Sequence, residues 1–446
     1  MYYLSIDMGT SAVKIEVLGD RCEVLASQTE PYPFMALPGE KYEIEPTVLF
    51  GALYAASKRL PRELRENVSV VCYDTFSPSP VFIAENGELA YPNIITHMDR
   101  RSREQCDYIE QRLGKDHYRS ISGIYPFAGG AGIMTILWMQ KHRPDVLAES
   151  YRFGHLTTYV HHRLTGEWMV DLVNASMMGL YETTTQGGWS GELQDVFDLD
   201  TRWFSPIRNP GEIFGSLRPD EARRLGVPAG VPVAVGTNDM AAAQMGAGND
   251  RPGRIMDTAG SSDMVSVLTD QPVTSPHYYL RNSALPGIWQ IYATTAGGFA
   301  LDWFYEQFCR DMTRSEFNER YLPACLDASH DAGAVTFDPY LTGDRQSLEK
   351  RSGAWHGLTL AVTRDQMLAA LLISMQRVLA DVVRMAGEHV ALDRTIKLTG
   401  GMSGPAFIAL KEREFGDFQF EVVDNCSVLG NVKLVQHCAN LRGADA

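Results

Sequence analysis

The chain has no CxxC pair, no apolar run of 18 residues and no extended run of lysine and arginine. Each absence removes a class of protein. Without CxxC spacing there is no zinc-ribbon or thioredoxin-type motif. The scattered cysteines (Cys22, Cys72, Cys106, Cys309, Cys325, Cys426 and Cys438) read as free thiols in a reducing compartment. Without the apolar run, no membrane-crossing helix is expected. The formal net charge is −15, which argues against nucleic acid or an anionic membrane as partner. It does not exclude an anionic substrate, since a local pocket can oppose the global charge. MYYLSIDMGT has no basic stretch ahead of a long apolar core, so no signal peptide is read and a cytoplasmic location is expected. Also absent are GxxxxGK[ST], HExxH, GxSxG and a GxGxxG opening a βαβ unit. The pair His161-His162 lacks a spaced third ligand and reads as structural.

What is present is an ordinary globular composition, 45% hydrophobic and 21% charged, over 446 residues. That length suggests two domains of roughly 200 residues. Tyr2–Ile6, Val13–Leu18 and Cys22–Ala26 read as a strand meander with a turn at Gly9-Thr10-Ser11. Residues 68–74 and 231–236 read as further strands. Helices are expected over 47–60, 133–142, 144–151, 220–226 and 364–386, and 186–215 reads as a long irregular connection. The opening pattern returns around residue 255, as IMDTAGSSDMVSV: strand, Asp, small-residue turn, alternating strand. Such a repeat suggests two similar domains. The expected boundary gives domains 1–246 and 247–446.

A Gly/Ser/Thr turn between two strands exposes backbone N–H groups and hydroxyls that attract anions. Two such turns, at Gly9-Thr10-Ser11 and Gly260-Ser261-Ser262, could hold nucleotide phosphates; each alone also reads as an ordinary hairpin turn. Asp7 beside the first turn suits Mg²⁺, which favours one or two carboxylates with phosphate oxygens. A third cluster, Thr399-Gly400-Gly401-Met402-Ser403-Gly404, follows a strand and precedes a helix, where a flat ligand can approach the backbone. In VAVGTNDMAAAQMGA, Asp239 stands at a strand-to-helix junction. It is read there either as a helix N-cap or as a general base.

The motifs together resemble the FGGY carbohydrate kinases, in the xylulokinase-like branch. The matching segments run in family order: IDMGTSAVKIEVL, YEIEPTVLF, ITHMDRRS, VGTNDMAAAQMGAG, DTAGSSDMVSV, TTAGGFALDWF, DPYLTGDRQS, GAWHGLTL, LTGGMSGP and SVLGNVKLV, the last resembling an A-L-G-A-A helix. The resemblance implies an α/β fold of two actin/hexokinase/Hsp70-like (ribonuclease H-like) ATPase domains with a cleft between them. It implies transfer of the γ-phosphoryl of ATP to a small sugar or polyol. Position by position, Asp239 would be the base, and Asp7 and Asp239 would lie at Mg²⁺. Gly9, Thr10, Ser11, Gly260, Ser261 and Ser262 would face phosphates, and Gly400 and Gly401 adenosine. The family's Met-His-Gly segment is replaced by Asp74-Thr75-Phe76-Ser77-Pro78-Ser79-Pro80. Proline carries no donor, so Asp74, Thr75, Ser77, Asp99 and Asn238 become the candidates for sugar contacts, with a structural ion pair as the other reading of Asp99. The family's usual Glu after GAWHGLTL is apolar here, near Ile373. A non-catalytic sugar- or nucleotide-binding relative is the alternative function, and a homodimer is left open.

Overall fold

The computed structural model describes residues 1–326, 332–341 and 351–444. Residues 342–347 of the segment DPYLTGDRQS therefore lie outside the described residues. The chain forms two compact units. The first comprises Met1–Asp250, Arg281–Ile288 and Asn425–Ala446; the second comprises Arg251–Leu280 and Trp289–Asp424. A single cut at 246/247 is thus too simple, because the last helix returns to the first unit.

The first unit is built on a seven-stranded sheet. Its strands run in the order Ile213–Ser216, Pro232–Ala234, Val68–Thr75, Tyr2–Met8, Ala12–Leu18 and Val24–Pro31, and Thr237–Asn238 also pairs with Val68–Thr75. The central strand Tyr2–Met8 pairs antiparallel with Ala12–Leu18 and parallel with Val68–Thr75. Side chains alternate between the faces of a strand. Leu4, Ile6 and Met8 accordingly join Leu49, Phe50 and Leu53 of the helix Pro46–Arg59 in one core. Tyr3 joins Val432 and Val435 of the helix Cys426–Ala444 on the opposite face. Asp7 shares that second face with Tyr3 and Ser5, and its parallel neighbour is Asp74. Two carboxylates thus stand side by side where the pattern of alternation puts them.

The helix Asp239–Gly246 crosses the helix Cys426–Ala444 at very close range. A Cβ at Gly246 would lie 1.9 Å from the Cys426 carbonyl oxygen, and one at Gly430 would lie 1.7 Å from that of Ala242. Only glycine allows the backbones this near. The expected irregular stretch 186–215 contains more order than its composition suggests. Ser190 caps a helix over Gly191–Val196, strands cover Ile207–Arg208 and Ile213–Ser216, and Trp189 Nε1 donates to the Ser205 carbonyl.

The second unit repeats the plan. Its six strands lie in the order Tyr279–Asn282, Trp289–Thr295, Asp263–Thr269, Ile255–Ala259, Thr395–Thr399 and Gln419–Val422. Ile255–Ala259, like Tyr2–Met8, has an antiparallel partner across a short turn and a parallel partner on its other side. The helix Arg364–Ala386 opens with a capping box of Thr363 and Gln366. It is long and apolar enough to cross a membrane by length and composition alone, although the sequence contains no unbroken apolar run. Most of its apolar face is buried against the sheet, as a core helix requires.

Candidate functional site

Asp239 is not the helix cap. Asn238 is: its side chain accepts from Ala241 N at 3.3 Å, and its Nδ2 donates to Asp239 Oδ1 at 2.7 Å. Asp239 occupies the first helical turn, with Met240 N also donating to Oδ1 at 2.7 Å. The cap requirement is therefore met by a neighbour, which leaves the Asp239 carboxylate for other work. Burial and the Asp7 charge push its pKa up to about 7, against hydrogen bonds from Met240 N and Asn238 and the charge of Arg281. A base poised near neutral pH suits proton transfer.

Asp7 and Asp74 are close enough to hydrogen-bond to each other. Burial raises Asp7, while Asp74 and the charge on Lys14 oppose the shift. Burial, with Asp7 and Asp239 nearby, raises Asp74 well above the usual range. Asp74 is fully buried; Oδ2 accepts from Asn431 Nδ2 at 2.6 Å, and Oδ1 has no partner. Lys14 is held by Asn425 Oδ1 and lies 3.1 Å from Glu16. Two facing carboxylates with an orphan oxygen fit a proton or a cation between them, and the donor set suits Mg²⁺. Among the described residues no cluster of three or more His, Cys, Asp or Glu is gathered for a metal.

The first turn is braced rather than loose. Gly9 N donates to Ala12 O at 3.1 Å, Tyr32 N donates to Ser11 O at 3.0 Å, and the Tyr32 hydroxyl donates to Gly9 O. Thr10 is partly exposed and Ser11 exposed beyond this brace. In the second unit, Gly298 N and Phe299 N donate to the carbonyls of Gly260 and Ser261, at 3.0 and 2.9 Å, while Ser262 O accepts from Gly260 N. Gly400 has φ +104°, and a Cβ there would lie 2.5 Å from Ala259 O, so it packs on the turn. A Cβ on Gly401 would meet nothing within 4 Å. Gly401 is thus the open member of that pair.

The sugar-site candidates separate. Thr75 is buried and its hydroxyl has no partner, whereas Ser77 is half-buried and donates to Asn174 Oδ1 at 2.7 Å. Asp99 is corrected to a structural role. Its oxygens accept from Tyr42 N and Arg101 N, both at 2.9 Å, and from the Arg101 guanidinium, which also pairs with Glu43. With both oxygens engaged and only 3% exposure, it has little left to offer a sugar. His161 is a core residue stacked on Phe214 at 5.7 Å, and His162 stacks on Trp168 at 3.6 Å. A hollow of about 530 Å³ lined by Arg152, Trp189, Arg202, Phe204 and Ser205 contains none of the candidate residues, and its lining offers no carboxylate base. Chemistry, not concavity, locates the site.

Several contributors escaped the sequence reading. Asn431 was visible as the polar residue where the A-L-G-A-A motif has alanine. The buried set Asp171, Asn174, His155 and Thr237 carries no spacing signal, because its members come together only through the fold.

A central strand with a phosphate-type turn, repeated in both units, defines an α/β ATPase fold of the actin/hexokinase type. The fold is shared with the ligand-bound xylulose kinase from Lactobacillus acidophilus: TM-score 0.89, 20% identity, 99% of this chain and 90% of that one. Residues 2–246 match the model of the FGGY family of carbohydrate kinases, N-terminal domain, which is more than half of the chain. The chain belongs to the FGGY family of carbohydrate kinases and is a sugar phosphotransferase that uses ATP. It is 25% identical to the xylulose kinase of Escherichia coli (strain K12) over 411 residues, covering 90% of this chain and 81% of that protein. It is 24% identical to the gluconokinase of Bacillus subtilis (strain 168) over 391 residues, covering 83% and 74%.

Proposed function

We propose that the chain transfers the γ-phosphoryl group of ATP to a hydroxyl of a small sugar or polyol, with Asp239 as the general base. The observation that carries this is the placement of Asp239: half-buried in the first helical turn, relieved of capping by Asn238, and close to Asp7 and Asp74. In the reaction the sugar oxygen forms a bond to the γ-phosphorus. The bond from that phosphorus to the bridging oxygen of ADP breaks, and the hydroxyl proton passes to Asp239. Asn238 Nδ2 and Met240 N hold the carboxylate in one orientation, so little reorganisation precedes proton transfer.

Mg²⁺ bound with the nucleotide would neutralise charge at the phosphates, and Asp7 is the residue we assign to it. Thr10 and Ser11, on the turn braced by Tyr32, are assigned to phosphate contacts, as are Ser261 and Ser262 on the turn braced by Gly298 and Phe299. Gly401, open where Gly400 is packed, is assigned to the adenosine. Thr75, Ser77 and Asn238 remain the sugar candidates.

ADP release with Mg-ATP across pentuloses, hexuloses, pentitols, aldoses and sugar acids tests the reading. At least one compound should be turned over, with loss of turnover in Asp239→Asn. Calorimetric binding of ligands with no turnover on any of them would instead favour a non-catalytic binding protein.

A further inference from the structure

Ser77 belongs to a buried chain of hydrogen bonds whose direction is fixed at its far end. Asp171 is fully buried and takes four donors: Val173 N and Asn174 N at 3.1 Å, Thr237 Oγ1 at 2.9 Å and Asn174 Nδ2 at 2.6 Å. A carboxylate surrounded by donors is an acceptor, so the Asn174 amide must turn its NH₂ toward it. Asn174 Oδ1 then points the other way. It receives His155 Nδ1 at 2.8 Å and the Ser77 hydroxyl at 2.7 Å. His155 is pushed down to about 4 by burial and stays neutral, which leaves its proton on Nδ1 as this bond requires.

A hydroxyl has one proton and two lone pairs. The Ser77 proton is spent on Asn174, and Ser77 is the half-buried member of an otherwise buried chain. What it offers outward is therefore lone pairs alone. The surroundings act in the same sense. Asp7, Asp74 and Asp239 lie together, so negative charge gathers at this end of the chain of hydrogen bonds, and the Arg281 charge acts on Asp239 from a distance.

We propose that Ser77 is a specificity-determining residue that presents only acceptors, so that the sugar site takes a hydroxyl at this point and rejects a carboxylate. The substrate is then a neutral ketose or polyol and not an aldonate. This rests on the kinase reading above and decides between the two substrate classes named by the relatives, which their similar identities do not separate. The reason is the usual asymmetry of polar recognition: an acceptor facing an acceptor leaves both unpaired and adds repulsion.

The experiment compares kcat/KM for neutral probes (D-xylulose, D-ribulose, xylitol, D-arabinitol, glycerol) with that for aldonates (D-gluconate, D-xylonate), in the wild type and in Ser77→Ala. The wild type should favour its best neutral substrate over any aldonate by about 100-fold or more. Ser77→Ala should lower kcat/KM for that substrate about tenfold, mainly through KM. Deoxy analogues of the best substrate complete a cycle. One analogue should be about tenfold worse for the wild type yet within about twofold of the parent for Ser77→Ala. Asn174→Ala, which frees the serine proton to be donated, should raise the aldonate-to-neutral ratio. If it does not fold, Ser77→Ala carries the test alone. Preference for an aldonate, or unchanged kinetics of Ser77→Ala on every substrate, overturns the inference and leaves the kinase reading standing. No turnover on any probe overturns the kinase reading and this inference with it.

Discussion

Each unit buries a pair of aspartates around its central strand, and the two pairs are treated in opposite ways. In the second unit Asp257 and Asp263 are fully buried, and Lys411 reaches both, at 2.8 Å and 3.0 Å. Gln376 completes the group, donating to Asp263 at 2.7 Å and accepting from Lys411 at 2.8 Å. In the first unit Asp7 and Asp74 face each other with Ser427 and Asn431 as neutral hydrogen-bond partners and Lys14 as a neighbouring positive charge. Removing the partner of a buried ion pair is strongly destabilising, whereas buried carboxylates without a cation are characteristic of functional sites. Asp7 and Asp257 both lie on the first strand of a hairpin, one and two residues before its last pair, and what Asp257 has that Asp7 lacks is a lysine in direct contact.

The comparison breaks first at Asp239. Asp239→Asn should reduce turnover by about 10³-fold, within the range of a lost general base, while the melting temperature holds. Steady-state ADP release checks it, and a variant with wild-type kcat would remove the base from the first unit's group.

Next is Lys411→Met, which leaves two buried aspartates without their cation. Breaking a buried pair this way costs about 3–5 kcal/mol, read as a shift in urea denaturation. A loss under about 1 kcal/mol would mean that the group is not structural.

The third concerns buried histidine. His161 is pushed down to about 4 by burial, from an ordinary 6.5. Its folded pKa lies below its unfolded one, so the unfolded state takes up protons first as pH falls. Its contribution is present above pH 6.5 and lost on the way down to 4, at most about 3 kcal/mol. His161→Phe, which keeps the stack on Phe214, should flatten the stability loss between pH 6.5 and 4 relative to wild type, followed by thermal melts at each pH. The difference between the two proteins isolates His161 from the raised carboxylates of Asp7, Asp74 and Asp239, which act with the opposite sign. Parallel curves would refute it.

The smallest expected effect is Asn431→Ala, which strips the donor from Asp74 and should cost about 1–3 kcal/mol. Crystallography or NMR should find Asp74 displaced. An unmoved Asp74 at unchanged stability would mean that Asn431 does not set the first group apart.

Much of the site could be read from the chain because it lies in short segments. Asp7 with its turn, Gly260–Ser262, and Asn238-Asp239 are each carried by a few consecutive residues at the end of a strand. The residues that tune them were not legible. Asp74 was seen as a sugar contact, yet its nearest partners are Asp7, 67 residues away, and Asn431, 357 away. Asp99 was placed in the same set by the family resemblance, with an ion pair as its other reading, and its charge is consumed by Arg101.

The sequence alone determined the strand alternation that puts Asp7 on one face with Tyr3 and Ser5, the repeat of that plan after residue 250, and the glycines that permit close approach. These are local consequences of side-chain size and two-residue period. The tertiary structure decided which aspartates are neutralised, that Asn238 rather than Asp239 caps the helix, and that the Ser77 proton is already committed. Those outcomes depend on desolvation and on hydrogen-bond partners far apart in the chain, and no local pattern encodes either.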